Sequence, residues 1–124
     1  MNKPEYFEIL DTHAVFRPMG EVSLEHAVQL MTSAIAYARE QQVRKLLAVA
    51  TGLTGFKSPS ITERYYASQR FAQAAESKMS IAMVLRKEMI DRRRFGVLVA
   101  ENIGLNFNRF ASEEEALVWL LRNG

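Results

Sequence analysis

A chain of 124 residues has the length of one ordinary domain, and 48% hydrophobic with 24% charged residues excludes an intrinsically disordered segment. Its 16 basic and 14 acidic residues leave a formal charge of +2, with no broad basic stripe, so nucleic acid is not an expected partner. Cysteine is absent, which excludes disulfides and thiolate chemistry and agrees with an expected cytoplasmic location.

The first residues, Met1 to Glu5, lack the apolar centre of a signal peptide. No run approaches the ~18 apolar residues that span a bilayer, so no membrane span is expected. Tyr6–Leu10 and His13–Arg17 carry aromatic and β-branched residues and read as two strands of an opening hairpin, turned at Asp11-Thr12 and ended by Pro18 and Gly20. Ser23 is a good N-cap. After it, Leu24, Ala27, Val28, Met31, Ile35 and Ala38 recur at spacings of three and four, which predicts a helix ending near Gln41.

Val43–Ala50 contains five consecutive apolar residues and reads as a strand buried on both faces. Thr51–Lys57 reads as a loop. A second helix follows, capped either by Ser58 with Pro59 at the first helical position or by the capping box of Ser60 and Glu63. Ile61, Tyr65, Ser68, Phe71, Ala72 and Ala75 are expected to line its buried side. Met79–Leu85 is the next strand.

Phe95–Ala100 has strand propensity, but Asp91 to Asn102 lacks turn signals and Gly104 suits a helix C-terminus, so the stretch reads as helix. Leu105–Phe110 alternates as a final strand. Ser112 and Glu115 form a capping box that opens a helix through Ala116, Leu117, Leu120 and Leu121. The order ββαβαβαβα predicts a single α/β domain over 1–124, with a mixed, mostly parallel sheet of about five strands and about four helices.

The chemistry-bearing patterns are sparse. Gly52-Leu53-Thr54-Gly55-Phe56-Lys57-Ser58 lies between a strand and a helix, as a phosphate-binding loop does. That loop requires glycine before the lysine, and here the position is Phe56. A weaker anion site remains, because Lys57, Ser58 and Ser60 sit at a helix N-terminus with its free amides. His13 and His26 have no partner at metal-ligand spacing, and G-x-S-x-G is missing, so neither a metal, a cofactor nor a catalytic residue is expected. Glu113-Glu114-Glu115 suits the positive end of a helix dipole. Arg92-Arg93-Arg94, with Arg86 and Lys87 upstream, reads as a solvated helix start, since consecutive helical residues point in different directions.

Phe95-Gly96-Val97-Leu98-Val99-Ala100-Glu101-Asn102-Ile103-Gly104-Leu105, followed by Phe110-Ala111-Ser112-Glu113-Glu114-Glu115-Ala116-Leu117-Val118-Trp119-Leu120, resembles the end of SpoIIAA-like proteins of the STAS superfamily, relatives of anti-sigma-factor antagonists. The central Val43–Ala50 strand and the opening hairpin ending near Gly20 fit the same resemblance, which spans nearly the whole chain. It implies a non-enzymatic regulatory module that binds a protein. In the antagonists a serine at the start of the helix after the central strand is phosphorylated; the matching region here is Ser58 to Thr62, with Lys57 beside it. Ala50-Thr51 stands where the antagonists carry aspartate, and Lys57-Ser58-Pro59-Ser60 replaces their serine motif. The alternative is a small lipid-like or anionic ligand held by the loop 52–60, since some relatives resemble CRAL-TRIO lipid-transfer domains; a chain this short leaves little room for a wide cavity. Edge strands and methionine-bearing helix faces also leave a homodimer open.

Overall fold

A computed structural model of the chain describes residues 2–91 and 93–123. The hairpin strands are β1 (Phe7–Ile9) and β2 (Ala14–Phe16), followed by a short strand β3 (Gly20–Glu21) and helix α1 (Leu24–Glu40). Next come β4 (Lys45–Val49), the short β5 (Leu53–Thr54), α2 (Ile61–Ala75) and β6 (Ser80–Val84). One turn of 3-10 helix (Lys87–Met89), α3 (Phe95–Asn102), β7 (Asn106–Phe110) and α4 (Glu113–Asn123) complete the order.

The main sheet is mixed and five-stranded, in the order β1-β2-β4-β6-β7. β1 pairs antiparallel with β2, and the three remaining pairs are parallel. Each parallel pair is bridged by a helix, and each new strand is added on the same side. Right-handed crossovers then put α1, α2 and α3 on one face. The buried side chains agree: Phe16, Ala48, Met83 and Phe107 of the sheet share one core with Met31, Ile35, Phe71 and Val97 of the helices. The opposite face carries Val15, Leu47, Val49, Ala82 and Val84, covered by Ala116 and Leu120 of α4. β4 is therefore apolar at successive positions because both of its faces are buried.

Local chemistry sets the helix ends. The Ser23 hydroxyl accepts from the His26 amide at 3.1 Å. α1 ends with Gln42 at φ +62, while the Val43 amide donates to the Ala38 carbonyl and the Gln42 amide to that of Arg39. This is a Schellman closure with glutamine in the place glycine usually takes. At α2 the choice between two caps falls to Ser60: its hydroxyl accepts from the Glu63 amide, and the Glu63 carboxylate accepts from the Ser60 amide. Gly104, at φ +97, closes α3.

Three expectations need correction. α3 begins at Phe95 rather than Asp91, because Arg94 adopts a left-handed conformation (φ +57) that a continuous helix does not accommodate. The stretches around Gly20 and Gly52–Gly55 are not plain loop. β3 and β5 pair in parallel there, through Gly20 to Leu53 and Glu21 to Thr54. Gly55 makes this possible, since at φ +100 any Cβ would stand 2.6 Å from the Val22 carbonyl oxygen. Finally, Ile61 and Tyr65 are exposed rather than buried. The inward stripe of α2 runs instead through Arg64, Ala67, Ser68, Phe71 and Ala75, so that an arginine heads a line of small and apolar residues.

Candidate functional site

The inward stripe of α2 does not close fully on the sheet. Between its first half, α1, α3 and the sheet lies a cavity of about 120 Å³. Met83 and Phe107 of the sheet, Met31 of α1, Phe71 of α2 and Val97 of α3 line its apolar interior, with Leu53 from the short strand β5. α3 approaches α2 at Gly96, where a Cβ would stand 2.9 Å from the Ser68 hydroxyl. Ala50 and Leu85, just past the ends of β4 and β6, also face it. The cavity therefore reaches from the helix-covered face of the sheet, at Met83 and Phe107, to the carboxyl ends of β4 and β6, the end at which open α/β sheets bind ligands.

Its mouth is polar. Arg64, Arg86 and Arg109 line it against a single carboxylate, Asp91. Arg64 donates from Nη1 to the Met89 carbonyl and from Nη2 to the Ser58 hydroxyl, both at 2.9 Å. Arg86 donates from Nη1 to the Leu53 carbonyl at 2.8 Å, and its Nε lies 3.3 Å from Glu88 Oε1. Arg109 donates from Nη2 to the Asp91 carbonyl at 2.6 Å. The three arginines thus hold segments 51–53 and 88–91 around the opening. Burial, followed by the charges of Arg94 and Arg64, pushes the Arg109 guanidinium below its ordinary value, and Asp91 opposes this. The group stays ionised at neutral pH because an isolated guanidinium titrates so high.

The structure places the serine-loop residues at the outer edge of this mouth. Ser58 is exposed, accepts from Arg64, and lies 3.5 Å from the Glu88 carbonyl. Ser60 serves as the α2 cap. Lys57 and Thr62 are exposed and do not line the cavity, whereas Pro59 does. Of the arginine run 92–94, Arg92 lies outside the described residues, and Arg93 Nε sits 3.5 Å from Asp91 Oδ1.

Neither His13 nor His26 lines the cavity. His13 Nδ1 is 2.8 Å from Thr12 Oγ1, and His26 contributes its backbone amide to the Ser23 cap. Among the described residues, no group of three His, Cys, Asp or Glu side chains is placed to hold a metal ion. No described helix is long and apolar enough to cross a membrane.

The three mouth arginines were not singled out as a site by sequence reasoning. A signal was present: Arg109 shares the inward parity of Leu105 and Phe107, and Arg64 falls three and four residues before Ala67 and Ser68. A charge on an otherwise apolar stripe marks either a buried pair or a polar mouth.

Compared with protein-family models, curated proteins and solved structures, the chain matches none significantly.

Proposed function

We propose that this domain is a non-enzymatic binding module whose cavity takes a small, largely apolar molecule. The observation that carries the reading is the apolar hollow of about 120 Å³ at the carboxyl ends of β4 and β6. An engineered cavity of about 150 Å³ lined by aliphatic and aromatic side chains binds benzene, so this volume suits a body of about six non-hydrogen atoms. Filling a preformed apolar hollow adds dispersion contacts to its lining.

Thermal unfolding with a neutral probe, hexan-1-ol, tests this reading, because a ligand bound only by the folded chain, at free concentration L, raises stability by RT ln(1 + L/Kd) and Tm with it. The expected result is a concentration-dependent rise in the wild type that is absent in Ala67→Leu, whose added side chain occupies the hollow. No rise in the wild type would contradict it.

A regulatory protein-interaction module of SpoIIAA-like type is the second reading. The opening antiparallel pair, the sequential strand order and the helices bridging parallel strands support it. So does the cluster of exposed Ile61, Tyr65 and Tyr66 beside Ser58 and Thr62, the two tyrosines meeting edge to face with centroids 5.5 Å apart. Exposed aromatics at one helix end are the residue type that anchors interfaces. Affinity capture with wild-type and Tyr66→Ser baits separates the cases: this reading expects a specific partner that the variant loses.

A further inference from the structure

We propose that the natural ligand is a small amphipathic anion, with its apolar body in the cavity and one carboxylate or phosphate among Arg64, Arg86 and Arg109. This rests on the cavity reading above and adds the chemistry of the ligand's head.

The lining is divided sharply. Met31, Phe71, Val97 and Phe107 offer a ligand no hydrogen bond, and apart from the Ser68 hydroxyl the polar side chains of the lining are those of Arg64, Arg86, Arg109 and Asp91 at the mouth. There, among the described residues, three arginines meet two carboxylates: Asp91, which also lies beside Arg93, and Glu88, which pairs with Arg86, so that Arg64 and Arg109 carry the uncancelled charge. The hydrogen-bond acceptors of Arg64 and Arg109 are neutral: the Met89 and Asp91 carbonyls, the Ser58 hydroxyl and the Asn108 amide oxygen. These contacts orient the guanidiniums without cancelling their charge. Arg94 and Arg64 repel Arg109, and Asp91 offsets part of that repulsion.

An anion at the mouth would offset that repulsion and accept from donors already aimed by the fold. Each guanidinium has five N–H donors, and Arg64 and Arg109 commit only some of them to the protein. A cationic head would meet the opposite field. The small cavity restricts the body to a short chain or single ring and leaves a diacyl lipid unaccommodated.

Titration calorimetry of the full wild-type chain at neutral pH, with hexanoate, hexyl phosphate, hexan-1-ol and hexylammonium, tests the inference without any substitution. A head held by charge-assisted hydrogen bonds gains roughly ten-fold or more in affinity over the neutral alcohol, so hexanoate or hexyl phosphate should bind at least that much tighter. Hexylammonium should bind most weakly, and the preference should shrink in high salt. Whichever anion leads identifies the head as carboxylic acid or phosphoester.

Equal binding of alcohol and anions would overturn the inference while leaving the apolar cavity reading intact. Binding of none of the four would overturn both. Arg109→Gln, checked for an unchanged circular dichroism spectrum, should lose the preference for anions but keep affinity for hexan-1-ol. Retention of the full preference in both Arg109→Gln and Arg64→Gln would also overturn it.

Discussion

The Ser58 hydroxyl lies 2.9 Å from Arg64 Nη2, so the serine loop meets the cavity through one of the arginines at its mouth. A negative charge placed on residue 58 would compete with a ligand's head for that guanidinium. Ser58→Glu is expected to weaken hexanoate binding several-fold, within the roughly ten-fold range of one charge-assisted contact, while Ser58→Ala leaves it nearly unchanged. Calorimetry of both variants checks this; equal affinities would separate the loop from the cavity.

Gly55 and Gly20 both hold positive φ, at +100 and +131, but their surroundings differ. A Cβ on Gly55 would meet the Val22 carbonyl oxygen at 2.6 Å, whereas one on Gly20 has nothing within 4 Å. Gly20→Ala bears backbone strain alone, about 1 kcal/mol or somewhat more. Gly55→Ala adds a steric clash with main chain and should cost roughly 1–3 kcal/mol beyond that. Urea unfolding of the two variants is expected to rank them in that order.

Leu120 is fully buried against the sheet face that α4 covers, together with Val15, Leu47 and Val84. Only one helix shields this face among the described elements, so little else can collapse into a void there. Leu120→Ala should lose about 2–5 kcal/mol of stability. Val118→Ala, on the exposed side of the same helix, should stay within about 0.5 kcal/mol. Chemical denaturation reads both directly.

His13 is held below its ordinary value of 6.5, first by burial and then by the charges of Arg17 and Lys45. The unfolded chain therefore takes up this proton more readily than the folded one. The stabilising contribution is complete above 6.5 and declines as pH falls through the folded value. His13→Gln should flatten part of the acid-side loss of stability between neutral and mildly acidic pH. Urea midpoints across that window test it, and an unchanged slope would contradict the assignment to His13.

The layered α/β architecture was readable because two periodicities dominate the chain. Ala27, Met31, Ile35 and Ala38 repeat as one helical face, and the continuous apolar run of β4 marks a strand covered on both sides. The Ser60–Glu63 and Ser112–Glu115 caps are local chemistry, written within four residues. β3 and β5 were not readable, since two-residue strands exist only through a pairing between distant segments. The start of α3 depends on the left-handed Arg94, a conformation that no residue type at that position announces.

The serine loop was legible as a helix start with exposed side chains. The cavity was not. It is a shortfall of packing between α1, α2 and α3, and no single residue encodes a space. Its mouth gathers Arg64, Arg86 and Arg109, separated by 22 and 23 residues of chain and joined only by the crossover topology.

The methionines offer the most direct test of the cavity itself. Met31, Met83 and Met89 line it, Met79 is buried without lining it, and Met19 is exposed. Methyl NMR of methionine-labelled protein, titrated with hexanoate, should move the Met31 and Met83 signals together along one saturating curve and leave Met19 and Met79 in place. Signals at Met31 and Met83 that stay fixed up to saturating ligand, or shifts confined to Met19, would contradict a ligand inside the fold.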